Sequence, residues 1–442
     1  MSEVSISFSP TRDRWDPVDP AGILPVRRAI STGTLSLLLV LAAVLFNAGL
    51  AIINAHVVPL SSSAVIAAEV LIVATAHAVI FANWRSEMLP WYVMIMVIIL
   101  FSLARGIVVG SFDPKFLRDA LLIATFVLLG MTISPRRLTP LILVLHVIVV
   151  GGLLFEAFLP DAFSYLFDIR GYYIATRDFD ASNFWNSSSD LFVSATRPGD
   201  RFFSFVDFHR LSSVLLEPVS LGNYVVVITA FVCANWAYLS RKAIAFLSLG
   251  SLIALIGCDG RFAAISSAVI VLVALLAPLL PRKTPLLYLP VVFLCAVSFV
   301  VTMNPDVTQD NFAGRLAYGV QLLNEYEPSD WFGLSNRMIA SALDSGVAYA
   351  IATQSVVGLI AFWYFLVLGA KEQTSRQILY LHSLCTYLAL SMLVSYSLFS
   401  IKTAALLWFI HGSFQIDPAA RRADRPSRIP ASGSASPSMS WR

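Results

Sequence analysis

The chain reads as an all-α, polytopic membrane protein. Three features carry that reading: an apolar composition, apolar runs of membrane-spanning length, and cations gathered on one side. Of its 442 residues, 57% are hydrophobic and 13% charged, and the mean hydropathy is +0.76. Soluble proteins carry about 25% charged residues, so a chain this poor in polar groups could not cover a water-facing surface. A soluble enzyme and a disordered protein are thereby excluded. A net charge of +3 is too small to imply nucleic acid. The cysteines Cys233, Cys258, Cys295 and Cys385 lie in or at the ends of apolar runs, with neither a disulfide framework nor metal-ligand spacing.

Roughly 20 apolar residues cross a ~30 Å hydrocarbon core as a helix. Runs of about that length occupy 34–54, 64–82, 89–108, 116–133, 138–159 and 219–239. Others follow at 243–256, 262–280, 286–301, 347–370, 378–398 and 401–414, the seventh and twelfth being short. The sequence therefore predicts about twelve transmembrane helices. Residues 1–33 lack an early apolar region, so the first span is expected to act as an uncleaved anchor behind a cytoplasmic segment. Residues 34–415 form the transmembrane domain. The Ser-, Pro-, Ala- and Arg-rich stretch 416–442 is expected to be a disordered cytoplasmic tail.

With the N-terminus inside, the cytoplasmic side receives Arg27, Arg28, Arg85, Arg136, Arg137, Arg241, Lys242, Arg282, Lys283, Lys371 and Arg376. The opposite side holds Arg261, Lys402 and the cluster Arg105, Lys115 and Arg118. The excess of Lys and Arg in short loops sets orientation, so both termini are expected inside. Two long polar segments, 160–211 and 302–345, then share the outer side. Loops of that length usually have a task.

The first segment interleaves Tyr165, Phe167, Tyr172, Tyr173, Phe184, Trp185, Phe202 and Phe205 with Asp, Asn and Arg. Sugars offer apolar C–H faces to such rings and hydroxyls to such polar groups. An aromatic belt at headgroup level is the plainer reading of any single ring. In the second segment Phe312, Leu316, Val320 and Leu323 recur at helical spacing, predicting an amphipathic helix on the membrane with Arg315 beside the stripe. Such an Arg either snorkels to lipid phosphate or clamps the phosphate of a lipid-linked substrate.

RLSSVLLEPVSLGNY at 210–224, CDGRFAAIS at 258–266 and FAGRLAYG at 312–319 resemble the O-antigen polymerase and ligase superfamily, most of all its exopolysaccharide (xanthan-type) polymerases. The resemblance covers span order and loop placement over most of the chain. It implies a glycosyltransferase-C-like fold in a bacterial inner membrane, acting without metal or cofactor on undecaprenyl-diphosphate-linked oligosaccharides at the periplasmic face. Chain-length regulators and export proteins are the implied partners. The ligase branch has a His before Asn336, where this chain has Ser335, which argues for a polymerase. Arg210 and Gly222 meet the polymerase spacing of Arg and Gly only with one residue extra.

Glycosyl transfer outside the inner membrane needs a donor that is already activated. A prenyl diphosphate leaves as an anion, so cations aimed at it are the effective catalyst. Arg210, Arg261 and Arg315 lie near outer span boundaries and are the expected leaving-group cations; Glu217, just before Pro218, is the expected base for the acceptor hydroxyl. Asp259, His209, Asn336 and Arg337 are assigned to substrate binding. The plainer readings are ion pairs Arg261–Asp259 and Arg210–Asp207, and a helix-starting acid at Glu217. Asp178-Phe179-Asp180 could hold a divalent cation, but such tripeptides are common, and no metal is expected. His77, His146 and His382 fall within spans and are read as interhelical partners. Glu69, also within a span, needs a partner, for which Arg105 is the candidate. A ligase and a transporter or flippase of polysaccharide precursors remain the alternatives; a transporter places broken helices and charges near mid-membrane.

Overall fold

The computed structural model describes residues 31–177, 190–195, 201–203, 205, 208–309 and 311–416. The N-terminal segment to residue 30, the acidic tripeptide 178–180, Phe184, Trp185, Asp207 and the tail from 417 lie outside the described residues. All regular structure among the described residues is helical.

The first part of the chain forms α1 (Thr32–Val44), α2 (Phe46–His56), α3 (Ser62–Ala82), α4 (Leu89–Val109), α5 (Pro114–Met131) and α6 (Leu138–Phe158). The first long connection carries α7 (Pro160–Phe167) and α8 (Ile169–Arg177). Then come α9 (Pro218–Asn235), α10 (Arg241–Cys258), α11 (Arg261–Leu276) and α12 (Tyr288–Met303). The second long connection carries α13 (Phe312–Asn324) and α14 (Pro328–Trp331), before α15 (Gly346–Leu368), α16 (Ser375–Val394) and α17 (Ile401–Phe414). Side-chain caps mark the starts: Ser61, Asp113, Ser240, Asn311 and Ser345 each accept a first-turn amide. Thr374 and Gln377 form a capping box on α16.

Each of the twelve apolar runs lies on helix, but nine helices among the described residues are long and apolar enough to cross a membrane, or up to ten with a bent pair. The other runs fall short for identifiable reasons. The first run breaks at Leu45 into α1 and α2, which bend by 64°. The helix α5 carries Lys115, Arg118 and Asp119. Only 14 residues long, α17 spans about 21 Å.

Every residue of α17 is buried, and its closest partner is α5. Glycine permits that approach: a Cβ at Gly130 would run into the Phe409 carbonyl, and one at Gly412 into the Val127 carbonyl. A helix enclosed by others need not match lipid, so its polar residues can point inward. Around it, α9 and α16 are also mostly buried, whereas α3, α4, α11 and α12 keep large apolar side chains on the surface. Interhelical hydrogen bonds link His146 Nδ1 with Tyr224 OH at 3.0 Å, His382 Nδ1 with Tyr288 OH at 2.7 Å, and His77 Nε2 with Thr125 Oγ1 at 3.2 Å.

Both long connections gather at one end of the bundle. There α8 packs on α2 and α3, and Arg105 at the end of α4 holds the chain after α14. The amphipathic helix forms as α13, but it seats Gly314, Leu316, Ala317, Leu322 and Leu323 within the protein and packs against α12 and α16. Its apolar face thus serves tertiary packing, and Phe312 stays 39% exposed at its start.

Candidate functional site

The polar end of the bundle is built around Glu217, the residue preceding α9. Pro218 opens that helix, and the extended backbone at Glu217 caps it, as an acid at a helix start should. The side chain, however, does not bond the helix amides. Its Oε2 lies 2.5 Å from Lys402 Nζ on α17 and accepts from Ser220 Oγ at 2.9 Å. Its Oε1 accepts from Tyr173 OH at 2.7 Å and faces Arg177 Nη1 at 3.8 Å. Tyr173 and Arg177 sit on one face of α8, the guanidinium 5.0 Å from the Tyr173 ring centre. Burial alone would raise the Glu217 carboxyl, but Lys402, Arg177 and their hydrogen-bonding neighbour Tyr173 hold it down at about 2. Burial also opposes charge on Arg177, yet Tyr173 and Glu217 hold its pKa above the ordinary arginine value.

A second charged group stands beside the first. On α5, Arg118 donates to Glu69 Oε2 of α3 at 2.6 Å and to Asp119 Oδ1 at 2.7 Å and 3.0 Å. Asp119 Oδ2 accepts from Tyr349 OH of α15 at 2.6 Å. Tyr396 links the two groups. Its ring lies 5.3 Å from that of Tyr349 and 5.9 Å from Lys115 Nζ, and it is within electrostatic range of Arg177, Asp119, Glu217 and Arg118. Lys115, Arg118, Arg177 and Lys402 thus face Glu69, Asp119 and Glu217, a formal excess of one positive charge among these described residues. Arg118 and Arg177 keep 30% and 37% of their side chains accessible, so neither cation of this charged chamber is fully enclosed. All three carboxylates lie within two turns of a helix start, not at mid-span.

The other residues expected from sequence make the following contacts. Arg210 donates to the Cys258 carbonyl at 3.1 Å and the Ser194 carbonyl at 3.3 Å, placing a cation at the C-terminus of α10. Asp259 turns the chain there with a φ of 51°, and its carboxylate accepts the Phe202 and Phe203 amides at 3.2 Å and 3.0 Å. Arg261 begins α11 beside it. His209 Nε2 lies 3.1 Å from Glu156 Oε1, a fully buried carboxylate that also accepts the Ser212 and Ser213 amides at 2.8 Å and 2.6 Å. Arg315 on α13 faces Asp344 at 3.8 Å. Asn336 is gripped by Arg105 at 2.5 Å and donates to Ser111 Oγ at 2.9 Å, while Arg337 pairs with Asp330 at 2.5 Å.

One pairing expected from sequence is corrected. Glu69 takes Arg118 as its partner, whereas Arg105 turns to the carbonyls of Gly333 and Ser335 at 2.8 Å and 3.0 Å. The sequence reading assigns Arg118 and Lys402 only to topology, places Tyr173 only among the sugar-facing rings, and passes over Arg177 and Asp119 as functional residues. Charges inside apolar runs were the available signal: Arg118-Asp119 interrupt the fourth run and Lys402 the twelfth, and such residues face a bundle interior or a polar cavity. Arg177 left no comparable mark. Against known proteins, no family model, curated protein or solved structure matches this chain.

Proposed function

We propose that this protein is a metal-independent membrane glycosyltransferase that polymerises polyprenyl-diphosphate-linked oligosaccharide repeats into an exopolysaccharide or O-antigen. One observation supports it most: accessible Arg118 and Arg177 converge with buried carboxylates at the bundle end where both long connections meet. A diphosphate leaving group gains negative charge as the glycosidic bond breaks, and fixed guanidinium groups stabilise that charge without reorganising. Glu217 stays ionised and fixes Lys402, Tyr173 and Arg177 around itself, a role in positioning rather than proton removal. Of the aromatic residues of the first connection, Phe167, Tyr172 and Tyr173 are buried in packing, and the exposed Tyr165, Phe202 and Phe205 supply stacking faces for sugar rings.

In this reading α5, α17 and the bent pair α1–α2 complete twelve crossings of a glycosyltransferase-C-like fold. The termini are cytoplasmic, the chamber opens to the periplasm, and the membrane is the bacterial inner membrane. A ligase is less well supported, because the segment around Ser335 is tied down by Arg105 through its carbonyl. A precursor flippase is favoured by two breaks: the 64° bend between α1 and α2, and Ser355, whose φ of 70° interrupts α15.

Arg118→Ala and Arg177→Ala, each expressed in cells lacking the native gene, separate these readings. Polymerase activity predicts loss of long polysaccharide and build-up of single lipid-linked repeats on the outer leaflet. Build-up on the cytoplasmic leaflet identifies a flippase instead. Polymer of unchanged length in both variants removes the chamber from the reaction.

A further inference from the structure

An apolar groove of about 850 Å³ runs between α9, α10 and α11, and none of the chamber's residues line it. On α11 its wall is the stripe Ala264, Ala268, Val271 and Leu275. Arg261, at the first position of α11 and exposed, falls on the same helix face one turn before that stripe, at one end of the groove. A cation at the start of a helix adds to the positive field of the free amides there, and the turn therefore attracts an anion. From Ala264 to Leu275 the groove is about 17 Å long, close to the ~15 Å of one leaflet of hydrocarbon.

The groove also holds a polar feature that hydrocarbon does not satisfy. Ser251 on α10 lines it, is 7% exposed, and its hydroxyl finds no hydrogen-bond partner among the described residues. It lies two turns below the α10–α11 connection, about 10 Å beneath the level of Arg261. A glycerophospholipid carries ester carbonyls below its phosphate, and these are acceptors for such a donor. A prenyl phosphate has no acceptor at that depth. We infer that this groove binds one anionic glycerophospholipid, with its phosphate at Arg261, an ester carbonyl at Ser251 and an acyl chain along α11.

This site goes beyond the glycosyl-transfer reading, and its test reads lipid retention rather than polymer, so the two stand or fall separately. The full-length protein is purified in detergent and examined by native mass spectrometry with phosphatidylglycerol, phosphatidylcholine or undecaprenyl phosphate added. Phosphatidylglycerol should be retained over phosphatidylcholine. Arg261→Gln should reduce its retention about fivefold, which corresponds to the ~1 kcal/mol that one cation contributes at a lipid surface. Arg261→Lys should keep most of the binding, and Ala268→Trp, which fills the groove, should abolish it. Ser267→Leu offers a smaller obstruction if the Trp variant does not fold. Equal retention of the two phospholipids, or no loss in Arg261→Gln, overturns the assignment. Displacement of phosphatidylglycerol by equimolar undecaprenyl phosphate overturns it in favour of a prenyl-chain site.

Discussion

Lys402 Nζ and Glu217 Oε2 stand 2.5 Å apart, joining the start of α17 to the start of α9 at the polar end of the bundle. The lysine is 4% exposed and the glutamate 14%, so this pair bears most of its desolvation cost within the protein. Removing one partner leaves the other charge buried. Glu217→Gln and Lys402→Met are each expected to cost about 3–5 kcal/mol, and the double variant less than their sum. A thermal-unfolding double-mutant cycle in detergent checks this; simple additivity would show that the two charges do not stabilise one another.

The same pair sets a dependence on acid. The Glu217 carboxyl sits at about 2 against an ordinary 4.5. A depressed folded-state value adds stability that is fully present above about pH 4.5 and is lost as the pH falls toward about 2. Unfolding followed from neutral pH downward should show wild type losing stability through that window, with Glu217→Gln flatter over the same range.

Tyr349 is 1% exposed and gives its hydroxyl to Asp119, itself 2% exposed. Tyr349→Phe keeps the ring contacts with Phe116, Tyr396 and Phe399 but withdraws one donor from a buried carboxylate. A hydrogen bond to a charged group is worth about 1.5–3 kcal/mol, and a loss of that size is expected in thermal unfolding. Tyr349→Leu should cost more, because it removes the ring as well.

Arg105 spends its guanidinium on Gly333, Ser335 and Asn336, fixing the end of the second long connection. Lysine cannot reproduce that planar set of donors. Arg105→Lys should leave the bundle folded while increasing protease cleavage near 333–337, read by limited proteolysis and mass spectrometry. Cleavage identical to wild type would show that other contacts hold the segment.

Gly412 brings α17 against the Val127 carbonyl of α5, a place where a methyl group has no room. Gly412→Ala is expected to destabilise by about 1–3 kcal/mol through forced separation of the two helices. Gly49→Ala, whose Cβ meets nothing within 4 Å, is the control and should be close to neutral.

Helical class, the position of each apolar run and the two long polar connections were legible because they depend on local quantities: hydropathy summed over a window, and caps such as Asp113 before Pro114. The interhelical roles of His77, His146 and His382 could also be read, since a polar group inside an apolar helix must bond to a neighbour. Which neighbour it meets is a different matter. Glu69 pairs with Arg118, 49 residues along the chain, and Glu217 pairs with Lys402, 185 positions along the chain.

Partner choice depends on how the helices pack, and that packing turns on features with no hydropathy signal, such as Gly130 and Gly412 letting α17 sink against α5. The amino-acid sequence by itself determined a helical membrane protein whose polar residues collect in two connections. Tertiary structure alone decided which charges share a chamber. Hydropathy acts over neighbouring residues, whereas an ion pair forms only where packing brings two distant side chains within a few ångströms.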